Sequence, residues 1–153
     1  NPTVYDELAF ALRQIHGSTT EVDRIIRKVA ERFNMTHLLN RPPYRLSMGE
    51  KRIVTLASII AYNPDILLLD EPTANVSSKI IESIKSVVEE FKQSNKAVVI
   101  ASHDAEFIAG ASDRIYVINN GVTVGGLDSK TILSDDELLA MADLKANLCK
   151  GFK

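Results

Sequence analysis

This sequence predicts an α/β fold with a mostly parallel sheet, preceded by an α-helical part. Three observations carry that prediction. Ile66-Leu67-Leu68-Leu69 is an unbroken aliphatic run that stops at Asp70-Glu71-Pro72. Such a run reads as a strand buried on both faces, as parallel strands are. Ala97-Val98-Val99-Ile100-Ala101 repeats the pattern and ends in Ser102-His103-Asp104. Between the two runs, Ile80, Ile81, Ile84, Val87, Val88 and Phe91 share one helical stripe, so strand and helix alternate as they do around a parallel sheet.

The elements follow in order. Leu8, Ala11, Leu12 and Ile15 have helical spacing in a segment from Val4 that ends at His16-Gly17. Ser18-Thr19-Thr20-Glu21 has the form of a capping box and opens a second helix, with Val22, Ile25, Ile26, Val29 and Phe33 on one face. A short segment at Thr36–Leu39 leads to Arg41-Pro42-Pro43, where helix must stop. A third helix begins near Glu50 and turns Ile53, Val54, Leu56, Ala57, Ile60 and Ala61 inward; Asn63-Pro64-Asp65 then turns into the Ile66 strand. After the second strand, a short helix through Phe107 and Ile108 leads to a strand at Arg114-Ile115-Tyr116-Val117-Ile118. Asn120-Gly121 predicts a tight hairpin turn, with Val122-Thr123-Val124 returning. Ser134-Asp135-Asp136-Glu137 again has capping-box form, before a helix carrying Leu138, Leu139 and Met141. Three parts are expected: a helical part over residues 1–63, a core part over 64–126 and a helical tail over 127–153.

Composition narrows the function. The chain has 153 residues, is 45% hydrophobic and 25% charged, and carries a formal charge of −2, which suits one soluble globular domain. That balance offers no basic stripe of the kind that marks nucleic-acid binding, so no nucleic-acid partner is expected. The longest apolar runs fall far short of the roughly 20 residues that span a bilayer. Asn1-Pro2-Thr3 lacks the basic and apolar regions of a secretory signal, and the missing initiator Met points to a processed or excised piece. The single Cys149 cannot form an internal disulfide, and a reducing, cytoplasmic setting is expected.

If the two buried strands are parallel, Asp70, Glu71 and His103 lie at one sheet edge, where open α/β sheets bind ligands. A carboxylate there can hold Mg²⁺, a second can orient and polarise a water, and an imidazole can donate to a phosphate. Successive strand residues point oppositely, so Asp70 and Glu71 should have different tasks. Ser47-Met48-Gly49 opens the third helix, and a helix N-terminus with a hydroxyl and a glycine can bind an anion. Ser47 and Glu50 are equally a capping box that needs no ligand. His103 alone could equally be a helix cap.

The combination resembles the C-terminal part of an ATP-binding-cassette (ABC) ATPase subunit. Leu46-Ser47-Met48-Gly49-Glu50 resembles the family signature Leu-Ser-Gly-Gly-Gln. Ile66 to Glu71 resembles the Walker B strand with its catalytic Glu, Thr73 to Ser78 sits where the D-loop belongs, and His103 resembles the switch histidine. The segments Pro2 to Phe10, Arg41 to Ser47 and Ile132 to Leu139 are most like those of cobalt, nickel and vitamin-type energy-coupling importers. The resemblance implies a partial P-loop NTPase core whose Walker A portion is absent. It also implies ATP and Mg²⁺ as cofactors and transport-coupled ATP hydrolysis. Asp70 would assist Mg²⁺ coordination, Glu71 would polarise the attacking water, and His103 would contact the γ-phosphate. Ser47 and Gly49 would contact the γ-phosphate of a nucleotide held by a second ATPase subunit. The helical part would touch a transmembrane permease, placing the protein on the cytoplasmic face of the membrane.

Three residues depart from that pattern: Met48 replaces a Gly, Glu50 replaces Gln, and Ser77 stands where the D-loop usually has Asp. No Gly-x-x-x-x-Gly-Lys-Ser/Thr occurs anywhere, so the 153 residues lack the loop that cradles phosphate and are expected to be inactive alone. Two other readings stay open here. One is the C-terminal half of a chromosome-maintenance or DNA-repair ATPase, whose cassette is split. The other is a non-catalytic partner subunit, to which Met48 and Ser77 give weight.

Overall fold

The computed structural model describes residues 2–142; Cys149 and the end of the tail lie outside them. Helices α1 (Val4–Leu12), α2 (Thr19–Arg32) and α3 (Met48–Ala61) come first. They are followed by β1 (Ile66–Asp70), α4 (Ser78–Gln93), β2 (Ala97–Ala101) and α5 (Ala105–Ala111). The hairpin β3 (Ile115–Asn119) and β4 (Val122–Leu127), then α6 (Ser129–Ser134) and α7 (Asp136–Met141), complete the order.

The chain divides into two compact units, residues 1–65 with 75–83, and 66–74 with residue 84 onward. In the first, α1, α2 and α3 pack mutually. The stripes read from the sequence supply most of their core: Leu8 and Leu12 from α1, Val22, Ile26 and Val29 from α2, and Val54, Ala57 and Ile60 from α3 are buried, joined by Val4, whereas α1 stops at Leu12 and Ile15, expected on its inner face, is 59% exposed. Thr3 caps α1, its hydroxyl accepting the Asp6 N–H. The capping box expected at Ser18 is not formed, since its side chain makes no cap bond. Arg24 instead takes the Glu21 carboxylate, with Nη2 to Oε1 at 2.6 Å. An Arg three residues along offers a charged partner that outbids the neutral N–H.

In the second unit, β1 and β2 are parallel, with Ile66 opposite Ala97 and Asp70 opposite Ala101. Among the described residues β3 pairs only with β4, antiparallel, so the four strands form two separate ladders. A groove of about 860 Å³ separates the β2 and β3 edges, lined by Val99, Ile100, Ile115 and Val117 among others. Among the described residues, no strand fills it. The burial expected for β1 is likewise only half realised. Leu67 and Leu69 are buried, whereas Ile66 is 62% and Leu68 70% exposed, and Val99 on β2 is 57% exposed. A strand with an apolar residue at every position has two faces to cover, and a two-stranded ladder covers one.

The hairpin turn falls where expected, with Asn120 and Gly121 both at positive φ. A bulge follows at Ile115/Tyr116, opposite Gly125. A β-carbon on Gly125 would lie 2.4 Å from the Ile115 carbonyl oxygen, and its φ is +145°. Asp135, not Ser134, caps α7, accepting from the N–H groups of Glu137 and Leu138. Ser134 instead ends α6, its hydroxyl donating to the Thr131 carbonyl. No helix of the described residues is long and apolar enough to cross a membrane.

Candidate functional site

Parallel register brings the ends of β1 and β2 level, and the ladder runs one residue further, with the Glu71 N–H donating to the Ala101 carbonyl at 2.8 Å. At Glu71 the backbone leaves the strand with φ +45°. Among the described residues, the other non-glycine residues at positive φ are Asn34, Asn63, Asn75, Asn95 and Asn120. Asparagine tolerates this conformation because its short amide bonds locally; glutamate has no such compensation. The turn at Glu71 is therefore held against its residue's preference, as strained positions at functional sites are.

The turn sends the Glu71 carboxylate to β2. Its Oε2 lies 2.9 Å from His103 Nδ1 and accepts a 3.4 Å bond from the Ser102 hydroxyl. The Ser102 oxygen in turn accepts the Asp104 N–H at 3.1 Å. Asp104 also caps α5, its Oδ1 accepting the Phe107 N–H at 3.0 Å. The helix-cap role open to His103 in the sequence thus belongs to its neighbour. The Glu71 hydrogen bond and charge raise the His103 pKa above its ordinary value, with a smaller contribution from Asp104. The imidazole is 78% exposed, so the pair faces solvent. Asp70 is also exposed at the end of β1.

The described residues hold no group of three or more His, Cys, Asp and Glu able to cage a metal. A lone exposed carboxylate at a strand end still fits Mg²⁺, which in phosphate sites takes one or two carboxylates and completes its shell with water and phosphate. What the chain lacks for a nucleotide is the glycine-rich loop and its lysine.

The other unit carries Ser47 and Gly49. Here the capping box is complete. The Ser47 hydroxyl accepts the Glu50 N–H at 3.3 Å, and Glu50 Oε2 accepts the Ser47 N–H at 2.7 Å. Arg41 Nη1 meets Glu50 Oε1 at 2.8 Å. The bond from the Ser47 N–H, and then its hydroxyl and Arg41, hold the Glu50 carboxyl below its usual range. Met48, the first helical residue, is 67% exposed. A β-carbon at Gly49 would meet only Ile80 Cδ1, at 3.7 Å, so internal packing does not demand glycine there.

Glu71 and His103 are thus brought into direct contact, and Ser47 sits with Gly49 at the start of α3. Two partners escaped the sequence reading. Ser102 was marked only by its position before His103, at the end of an apolar run. Arg41 was marked only as the first residue of the segment leading into Ser47, with nothing to pair it with Glu50.

A family profile described as ABC transporter matches residues 2–74. An ABC transporter ATP-binding protein of Archaeoglobus fulgidus is 42% identical over 142 residues, 93% of this chain and 58% of that protein. Over nearly its whole length the chain is thus similar to ABC transporter ATP-binding proteins. A nickel import ATP-binding protein of Rhodobacter capsulatus is 34% identical, over 99% of this chain and 59% of its own length. An energy-coupling factor transporter ATP-binding protein of Methanothermobacter thermautotrophicus is 32% identical, over 95% and 47%. The structure of cbiO1 from Clostridium perfringens, part of the ABC transporter complex cbiONQ, superposes with a TM-score of 0.73 at 26% identity. It covers 95% of this chain and 59% of that one. The fold is accordingly that of a partial ABC-type P-loop NTPase, and the chain spans between 47% and 59% of the length of these relatives.

Proposed function

We propose that this ABC ATPase chain is the signature-bearing and water-activating part of an importer's ATP-binding subunit, coupling MgATP hydrolysis to uptake of a cobalt, nickel or vitamin-type substrate. The observation that carries the reading is the Glu71–His103 contact at 2.9 Å, built on a strained turn at the ends of two parallel strands. A carboxylate held there can accept a proton from water, and an imidazole beside it can donate to a phosphate. Glu71 then polarises the attacking water, and His103 holds Glu71 in place and contacts the γ-phosphate. Asp70 supplies one oxygen ligand for Mg²⁺. MgATP, when bound, supplies the phosphoanhydride that water cleaves. Ser47 and Gly49 act on a nucleotide held by a second ATPase subunit.

The similarity to nickel-import and energy-coupling factor proteins supports a metal or vitamin-type cargo and a transmembrane permease partner. It also supports a place on the cytoplasmic face of the membrane. We propose further that residues 1–63 form the permease-facing helical part, 64–126 the core and 127–153 a tail. The 153 residues alone are inactive on this reading, because the phosphate-cradling loop is not among them. The test is Glu71→Gln in the full-length subunit assembled with its partners. Steady-state ATPase activity is expected to vanish while MgATP binding survives. Turnover at the wild-type rate would remove Glu71 from the water-polarising role.

A further inference from the structure

The entrance of α3 presents an electrostatic conflict. On the reading above, it receives a phosphate, and the N–H groups of Met48 and Gly49, the first two helical residues, have no intrahelical acceptor. Yet the capping box places a full carboxylate, Glu50, on the backbone of Ser47 at 2.7 Å. A carboxylate in the first turn competes for the same donors and dipole that an incoming anion would use. Arg41 answers that charge. Its Nη1 meets Glu50 Oε1 at 2.8 Å, and its Nη2 donates to the Arg45 carbonyl at 3.1 Å. The second bond anchors the guanidinium to the turn just before the signature, independently of Glu50.

Arg41 is itself held in place. Its N–H donates to the Leu38 carbonyl at 2.9 Å, and its carbonyl accepts the Val4 N–H at 3.0 Å at the start of α1. Pro42 and Pro43 follow it and fix the chain direction toward the signature. Most exposed ion pairs contribute little because two long side chains must be ordered to make them. Here backbone and fork are fixed on both sides, so the guanidinium is preorganised.

We propose that Arg41 is a positioning residue for nucleotide engagement: it neutralises Glu50 at the entrance of α3 and locks the capping box that orients Ser47. Arg41 touches no nucleotide; it acts through Glu50 and Ser47. This rests on the proposed role of Ser47, and the experiment separates the two.

The assay is the KM and kcat for MgATP of the assembled full-length transporter. Arg41→Ala is expected to raise KM roughly fivefold, the scale on which a charge at a helix end acts, with kcat changed less. The decisive variant is Arg41→Ala/Glu50→Gln. Removing the uncompensated carboxylate should return KM to that of Glu50→Gln alone, and Arg41→Lys should recover part of the loss by restoring charge without the fork. A purely structural role would leave the double variant as impaired as Arg41→Ala. That result, or an unchanged KM for Arg41→Ala, overturns the proposal while leaving Ser47 in its role. Ser47→Arg in the same assay is the control. If it changes neither KM nor turnover, the entrance does not engage nucleotide, and both readings fall together.

Discussion

Replacing Glu71 by glycine and by alanine separates the strain of its backbone from the work of its carboxylate. At φ +45° an L-residue with a β-carbon costs about 1–2 kcal/mol relative to its right-handed alternative. Glycine escapes that cost but loses about 0.5–1 kcal/mol more chain entropy on folding. Both variants remove the contact with His103 equally, so it cancels in their difference. Glu71→Gly should therefore be more stable than Glu71→Ala by about 0.5–1 kcal/mol. At an ordinary site the order is reversed, because alanine is normally the more stabilising of the two. Urea unfolding of the two variants in the same full-length protein measures the difference as a shift in midpoint at constant slope. An alanine variant as stable as the glycine variant, or more so, would refute the claim that Glu71 is held against its conformational preference. Both variants should be inactive, which would make Glu71 a place where stability is given up for chemistry.

Gly125→Ala should destabilise the β3–β4 hairpin by about 2 kcal/mol or more, since the new methyl meets the Ile115 carbonyl at 2.4 Å in a backbone region suited to glycine. Thermal melting checks it, and Gly121→Ala, with nothing within 4 Å of the added carbon, should cost less. The pH dependence of the site follows from His103. Its pKa is raised by Glu71, so the charged pair is fully formed below the ordinary imidazole value of about 6.5 and is lost as pH rises through the raised one. An NMR titration should show His103 above that ordinary value, and Glu71→Gln should bring it back down. Calorimetry on the 153 residues alone should detect no tight MgATP binding, and a strong signal would show that the phosphate-cradling loop is not needed for it.

Much of the core of the helical unit was legible in the sequence, although Ile15, read into the first helix, lies beyond its end and is exposed. Leu8, Leu12, Val22, Ile26, Val54 and Ala57 are buried as their spacing requires, because an amphipathic helix writes its core into a local period. The Ser47–Glu50 capping box and the Asn120-Gly121 turn were equally local and equally readable. The Ser18 and Ser134 caps show where the same logic stops. Several nearby groups could satisfy a helix end, and the choice of Asp135, or of a Glu21–Arg24 pair, is a competition the pattern does not rank.

The aliphatic runs at Ile66 and Ala97 determined two parallel strands and put Asp70, Glu71 and His103 at their ends, since side-chain period and strand length are properties of the chain itself. Only the tertiary structure decided that β3 stands apart from them across a groove, because pairing partners depend on which segments are present to fill the space between strand edges. It alone decided that Glu71 turns left-handed onto His103 and Ser102, and that Arg41 closes on Glu50. Those contacts join residues distant in sequence, and no local period encodes which of them meet.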